Sequence, residues 1–355
     1  MGENIQALWE EAAGMDVTLA AQPRDFAALR EKQVRPERYN RRGLFSKMIK
    51  GHVSLLRNFP VRIKQHTQDP RSALSQAIRN GFPVSQKARV QTGPSRTQRS
   101  LRIPEVMRRW EGNRAILGVT DLHFRGKKFA DAVDFSALSD FDILSEHRDF
   151  VRLIEMMTLV ISSRGNVTDS HQDDCDGSNH CFVGQKLWLA WDRVEGKAEG
   201  FQDVDRDQLN DWAAFDLPTF LKLSSSCWFI VQANETLFLP GNLAHKVITI
   251  KPYIGIGGFH VSLPGYLRTL KRWVLYDTLD IEPKDLLCPI NRALIRKIER
   301  LKQADPVLQE RWGLRQLKKA VQEWNTNEDR KTKRILLSNP AFAEFLQSVQ
   351  VAGKA

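Results

Sequence analysis

Residues 167–262 carry a succession of short apolar and β-branched runs, and these set what the chain can fold into. Segments 182–191, 227–232, 236–240, 246–250 and 254–261 have strand length and are separated by turn residues. Strands this short must pair with one another and bury a face to persist. One interruption, 212–223, has helical recurrence. On either side the period changes from two residues toward 3.6. Upstream, 4–13, 44–59, 72–78, 104–110 and 147–157 read as helical and 115–124 and 159–163 as strands. Segment 85–99, rich in Gln, Ser, Thr, Lys and Arg around Gly93-Pro94, reads as a linker or exposed loop. Beyond Pro264, 266–279, 287–303, 306–324 and 341–349 read as helices. The expected class is α+β: a β-rich core (101–265), a basic, partly helical or flexible N-terminal extension (1–100) and a helical C-terminal region (266–355).

Charge is concentrated in one part of the chain. Residues 24–109 hold 21 Lys and Arg against 5 Asp and Glu, a local net of +16 in a chain whose formal charge is +11. The rest therefore sums to −5. A basic block of this kind is an electrostatic footprint for nucleic acid or another polyanion such as chromatin; its alternative is a solubilising arm. No apolar run approaches the roughly 18 residues that span a bilayer, so no membrane role is expected. The N-terminus lacks the order of a secretory signal. Four cysteines (Cys175, Cys181, Cys227, Cys288) are too few for a disulfide scaffold and fit a reducing compartment, the nucleus or cytosol.

Within the strand-rich region sit residues that can do chemistry. His171 and Asp173 are two apart, so on a strand both point to one side. His245, far downstream, can return to the same place through the intervening strands. Two imidazoles and one carboxylate fill three positions of an octahedral non-haem iron and leave three for a bidentate co-substrate and dioxygen. Lys186 begins an apolar strand; it either faces solvent on an edge strand or points inward, where a buried ammonium needs an anion. A co-substrate carboxylate would provide one, and the Thr168 hydroxyl could serve the same anion.

Taken together, Thr168-Asp169-Ser170-His171-Gln172-Asp173, Gly184-Gln185-Lys186, Pro240 followed five residues on by His245, and Gly257-Gly258 resemble the Jumonji-C (JmjC) oxygenases. Segment 103–144 and the helical tail are similar to those of the chromatin-associated JmjC demethylases; residues 1–100 lie outside the resemblance. The resemblance implies a double-stranded β-helix (cupin-like jelly roll) that binds Fe(II), 2-oxoglutarate and O2. By position, His171, Asp173 and His245 would be the metal ligands and catalytic centre, with Thr168 and Lys186 on the far carboxylate of 2-oxoglutarate. Turnover would give succinate, carbon dioxide and an oxidant for a C–H bond. On an N-methyl-lysine of a histone tail, the hydroxylated methyl would leave as formaldehyde, and the enzyme would be nuclear. Two departures stand at the substrate entrance: Phe259 where the family often has Asn, and a polar loop at 174–181.

Other readings stay open at this level. A JmjC hydroxylase of a protein side chain, nucleic acid or metabolite would use the same centre, and a non-catalytic scaffold would use the fold alone. Cys175, His180 and Cys181 offer a second candidate metal site, although their spacing matches no common zinc module. Trp188 and Trp191, three apart on a strand, face opposite ways and read as packing. The acidic positions Asp203, Asp205, Asp207, Asp211 and Asp216 suit a basic substrate or a solvated surface.

Overall fold

The computed structural model describes residues 4–64, 69–92, 97–112, 115–124, 126–139, 142, 157–173, 175–201, 215–241, 243–276 and 283–350. Thirteen strands are found among them. These are β1 (Glu37–Arg38), β2 (Ser54–Arg57), β3 (Arg62–Ile63), β4 (Lys87–Thr92), β5 (Thr97–Arg102), β6 (Leu117–His123), β7 (Val133–Asp134), β8 (Thr158–Ser162), β9 (Val167–Gln172), β10 (Asp176–Asp192), β11 (Cys227–Gln232), β12 (Glu235–Leu239) and β13 (Leu243–His260).

The two longest strands organise the rest. β10 and β13 pair antiparallel along their whole length, from Asp176 opposite His260 to Asp192 opposite Leu243. Their register breaks between Cys181 and Lys186. Before that break β10 pairs with β12, and the facing part of β13 pairs with β8. After it the partners are β11 and β9. One half of the sheet thus runs β1-β2-β12-β10-β13-β8-β6-β4-β5, and the other runs β9-β13-β10-β11. A single apolar cluster takes Leu55, Val160, Leu237 and Leu239 from the first half and Trp188, Ala190, Phe229, Val231 and Val247 from the second. The halves therefore face each other as two layers, the arrangement that buries alternate residues of both.

Gly184 explains how the chain turns that corner. Its φ is +98°, and a Cβ there would lie 2.2 Å from the Pro252 carbonyl oxygen. A side chain is excluded both by the backbone conformation and by the neighbouring strand. Gly184→Ala is expected to destabilise the protein by roughly 2–4 kcal/mol, measured as a shift in urea midpoint at constant slope. At Gly257 the neighbouring strand alone excludes a side chain, since a Cβ would sit 2.2 Å from the Ser178 carbonyl oxygen.

The outward faces are covered by helices from both ends of the chain. Trp9, Ala12, Leu19 and Leu29 pack with Phe215, Leu217 and Phe220 over Leu187, Leu189, Trp191 and Ile248. Leu44, Phe45, Leu74, Ile78, Met107 and Trp110 cover the first half. The C-terminal helices close on themselves around Tyr266, Trp273, Leu317 and Phe345. No helix among the described residues is long and apolar enough to cross a membrane.

The first hundred residues are built into this sheet. They supply β1, β2, β4 and part of β5, and the helix Ile5–Ala13 buries Trp9 against Trp228 with ring centroids 5.5 Å apart. Segment 85–99, expected as a linker, is instead the hairpin of β4 and β5, apart from residues 93–96, which lie outside the described set. Its polar look comes from one solvated face; Ala88 and Val90 alternate inward and are buried. The helix expected over 44–59 ends at Gly51, whose φ of +71° makes a left-handed cap, and β2 follows. Gly313 likewise divides 306–324 into Pro306–Trp312 and Leu314–Asn327. The helix expected over 147–157 falls outside the described residues except for Met157, as does the acidic stretch except for Asp216, which caps the helix Leu217–Lys222.

Candidate metal centre

β9 lies along the second half of the sandwich beside β13. His171 stands directly opposite His245, and Thr168 opposite Val247. Three steps along β9 thus match two along β13. This bulge turns both Thr168 and His171 to the inner face, where strict alternation would have separated them. Asp173 follows at the end of the strand. The result is a compact group: the ligand atoms of His171, Asp173 and His245 all lie within 4.8 Å of one another and could hold a metal ion. The imidazole centroids are 4.1 Å apart, and Asp173 Oδ2 is 3.7 Å from His245 Nε2. It is the one such group of His, Cys, Asp and Glu among the described residues.

The imidazoles are oriented for ligation. His171 Nδ1 lies 2.7 Å from the Asp169 carbonyl oxygen and His245 Nδ1 3.1 Å from that of Leu243. An Nδ1–H donated to each carbonyl leaves the Nε2 lone pair for a metal. Burial lowers the His245 pKa to about 4, His171 adds to the lowering and Asp173 opposes it. The ring is therefore neutral, the form that binds metal. Trp188 stacks on it with centroids 5.4 Å apart.

Behind the centre, on the outward face, an ionic group fixes the backbone. Lys246 Nζ lies 2.7 Å from Asp16 Oδ2 and 3.4 Å from Asp169 Oδ1, all three side chains being buried or nearly so. Lys246 follows the candidate ligand His245, and Asp169 supplies the carbonyl that orients His171. Burial would raise the Asp16 pKa, but the Lys246 ammonium and the Thr18 hydrogen bonds hold it below its ordinary value. A residue from the N-terminal helical segment thus buttresses both histidine-bearing strands. Asp16→Asn is expected to weaken metal affinity by about 10-fold and to destabilise the fold by about 3–5 kcal/mol. A metal titration paired with a denaturant melt reads both.

Lys186 lies deeper on the same inner face. It is opposite Thr249, four residues along β13 from His245, or about 13 Å at the usual strand rise. The side chain is 3% exposed, and burial lowers its pKa to about 8. Its Nζ sits 4.5 Å from the Tyr253 ring centre, and no carboxylate among the described residues pairs with it. Trp188 Nε1 and Thr249 Oγ1, beside it on this face, are buried without a hydrogen-bond partner. An ammonium, an indole N–H and a hydroxyl facing one space form a donor set that fits an anion. Thr168 stands on the same face between the His245 and Thr249 levels.

All five residues singled out from sequence therefore fall on one inner surface. Trp188, read as packing, packs there but also presents its N–H. Thr249 and Tyr253 escaped sequence reasoning; their only signal was the pairing of β13 with β10, which sequence does not display. The second metal reading is not supported. His180 and Cys181 point to opposite faces: His180 Nδ1 lies 2.7 Å from Thr236 Oγ1, while Cys181 faces the interior 3.6 Å from the Gly184 carbonyl oxygen. Cys175 packs against the C-terminal helices. From Asp176 onward the expected polar loop is the start of β10, and Asn179 accepts a hydrogen bond from the Tyr253 hydroxyl. Phe259, opposite Gly177, is half-buried against the C-terminal helices. No protein-family model matches the chain, and no curated protein matches it.

Proposed function

We propose that the protein is an Fe(II)- and 2-oxoglutarate-dependent oxygenase on a double-stranded β-helix, acting as a demethylase of N-methyl-lysine in proteins such as histones, and working in the nucleus. One observation carries the reading: two histidines and one carboxylate share an inner face with a buried lysine that has no carboxylate partner among the described residues. Each half alone is ordinary. Their conjunction matches a metal with open positions and an anionic co-substrate that reaches from it to a buried cation.

In this reading His171, Asp173 and His245 hold the metal. Lys186, with Thr168, Thr249 and the Trp188 N–H, receives the distal carboxylate. With 2-oxoglutarate and dioxygen, the bound iron supplies an oxidant strong enough to take hydrogen from a C–H bond. The Asp169 and Leu243 carbonyls keep the imidazoles in the ligating tautomer. The apolar wall of Phe229, Val231, Val247 and Leu237 keeps bulk water from the centre. The methyl-lysine assignment follows the Thr-Asp-x-His-x-Asp and Gly-x-Lys resemblance.

The test is succinate release from 2-oxoglutarate with Fe(II) and ascorbate, with and without methylated histone peptides. Peptide-stimulated succinate with stoichiometric formaldehyde is the expected result. Succinate without formaldehyde, together with a gain of one oxygen in a target, would replace the demethylase by a hydroxylase. Absence of succinate from metal-loaded protein would leave the fold as a scaffold.

A further inference from the structure

Residues 70–104 contain seven Lys and Arg and no Asp or Glu. Two of the cations are used by the fold: Arg71 lies over the Trp110 ring, and Arg79 pairs with Glu111. Four others, Lys87, Arg89, Arg99 and Arg102, sit on the β4–β5 hairpin, are exposed, and pair with no carboxylate among the described residues. Arg89 Nε reaches only the amide oxygen of Gln98, at 2.5 Å.

Their register is the telling feature. Lys87 stands directly opposite Arg102, Arg89 opposite Ser100 and Gln91 opposite Gln98, all on the face turned away from the core, whereas Arg99 stands opposite the buried Val90. Like charges placed directly across a strand pair weaken it. A hairpin serving only the fold would gain from an acid at one of these positions. An external polyanion resolves the repulsion.

The absence of aromatics and the width of the grooves select the polyanion. Lys87 and Arg89 are two residues apart, about 6.8 Å along an antiparallel strand. Phosphates recur about every 3.4 Å along the axis on one strand of B-form DNA, so a row of cations at this spacing can meet several of them. Segment 83–109 contains no Phe, Tyr or Trp, so the face offers no platform for stacking unpaired bases. A two-stranded ribbon fits the major groove of B-DNA but not the deep, narrow one of A-form RNA. We propose that the β4–β5 hairpin binds duplex DNA through its phosphates, with Lys87, Arg89 and Arg102 as the contacts.

The test uses the full chain and a fluorescein-labelled 20-base-pair duplex, read by anisotropy between 50 and 200 mM salt. Three phosphate contacts predict a slope of log K on log salt of about −2.7. The variant Lys87→Gln/Arg89→Gln/Arg102→Gln should bind more than tenfold more weakly, with the slope shallower by about 2 to 3. A control that removes three exposed cations elsewhere (Arg315→Gln/Arg330→Gln/Arg334→Gln) should bind as the parent does. Equal loss in the two variants would reduce the effect to net charge and overturn the proposal. So would unchanged binding by the hairpin variant, or tighter binding of single strands or duplex RNA by the parent. The assay needs no metal, so its failure leaves the oxygenase reading standing.

Discussion

Lys186→Met is expected to stabilise the free protein while abolishing use of the co-substrate. In the free protein the ammonium is buried, and burial brings its pKa from 10.5 to about 8. A shift of that size corresponds to about 3 kcal/mol of lost stability when the group is charged. Because the folded state releases this proton more readily, the unfolded chain binds more protons between pH 8 and 10.5. Stability therefore rises with pH across that window, and the whole penalty is present below pH 8. Methionine keeps the length of the stem and removes the charge. At pH 7 the variant should be more stable by about 1–3 kcal/mol, and the gap should close by pH 10.5. Binding should move the other way. Losing a buried, charge-assisted contact to a carboxylate should weaken 2-oxoglutarate by about 2–5 kcal/mol, tens- to thousands-fold. Urea midpoints at pH 7 and 10, with calorimetric titration of 2-oxoglutarate into Mn(II)-loaded protein, measure both. A variant less stable than its parent at pH 7 would mean that the ammonium already has a partner. Undiminished binding would remove Lys186 from the anion site.

Asp173→Ala and His171→Ala should each reduce metal affinity by more than the roughly 10–100-fold seen for partners outside the ligand set, and bring succinate release to background. The fold should survive both. Asp173 is partly exposed at the end of an edge strand, and its removal takes a carboxylate from beside a neutral His245. Anaerobic Fe(II) titration with a circular-dichroism melt separates the two effects. Tight binding by a well-folded variant would place the metal elsewhere.

The strand-rich character of residues 167–262 and the helical tail were legible because their apolar residues recur with the right period. His171 and Asp173 were legible as a pair because a two-residue spacing on a strand is itself geometry, and His245 through the motif that Pro240 opens. What escaped depends on pairing. The bulge in β9 that turns Thr168 inward exists only against β13. The company that Lys186 keeps, Thr249 and Tyr253, comes from a strand some sixty residues later. Polarity also misled. Ser178, Asn179 and His180 look like loop residues, yet all are buried on β10 because Tyr253, Thr236 and His260 bond to them across the sheet. The hairpin at 85–99 was read as a linker for the same reason, one wet face hiding one dry one.

Among the described residues β9 has a single neighbour, β13, yet it carries His171 and leads into Asp173, while His245 belongs to the central pair. A metal bound by all three would therefore fasten the sheet's margin to its middle as a rivet does. Ion binding and the closing of that margin become one equilibrium, in which the affinity measured for the metal includes the work of pinning a segment otherwise free to fray.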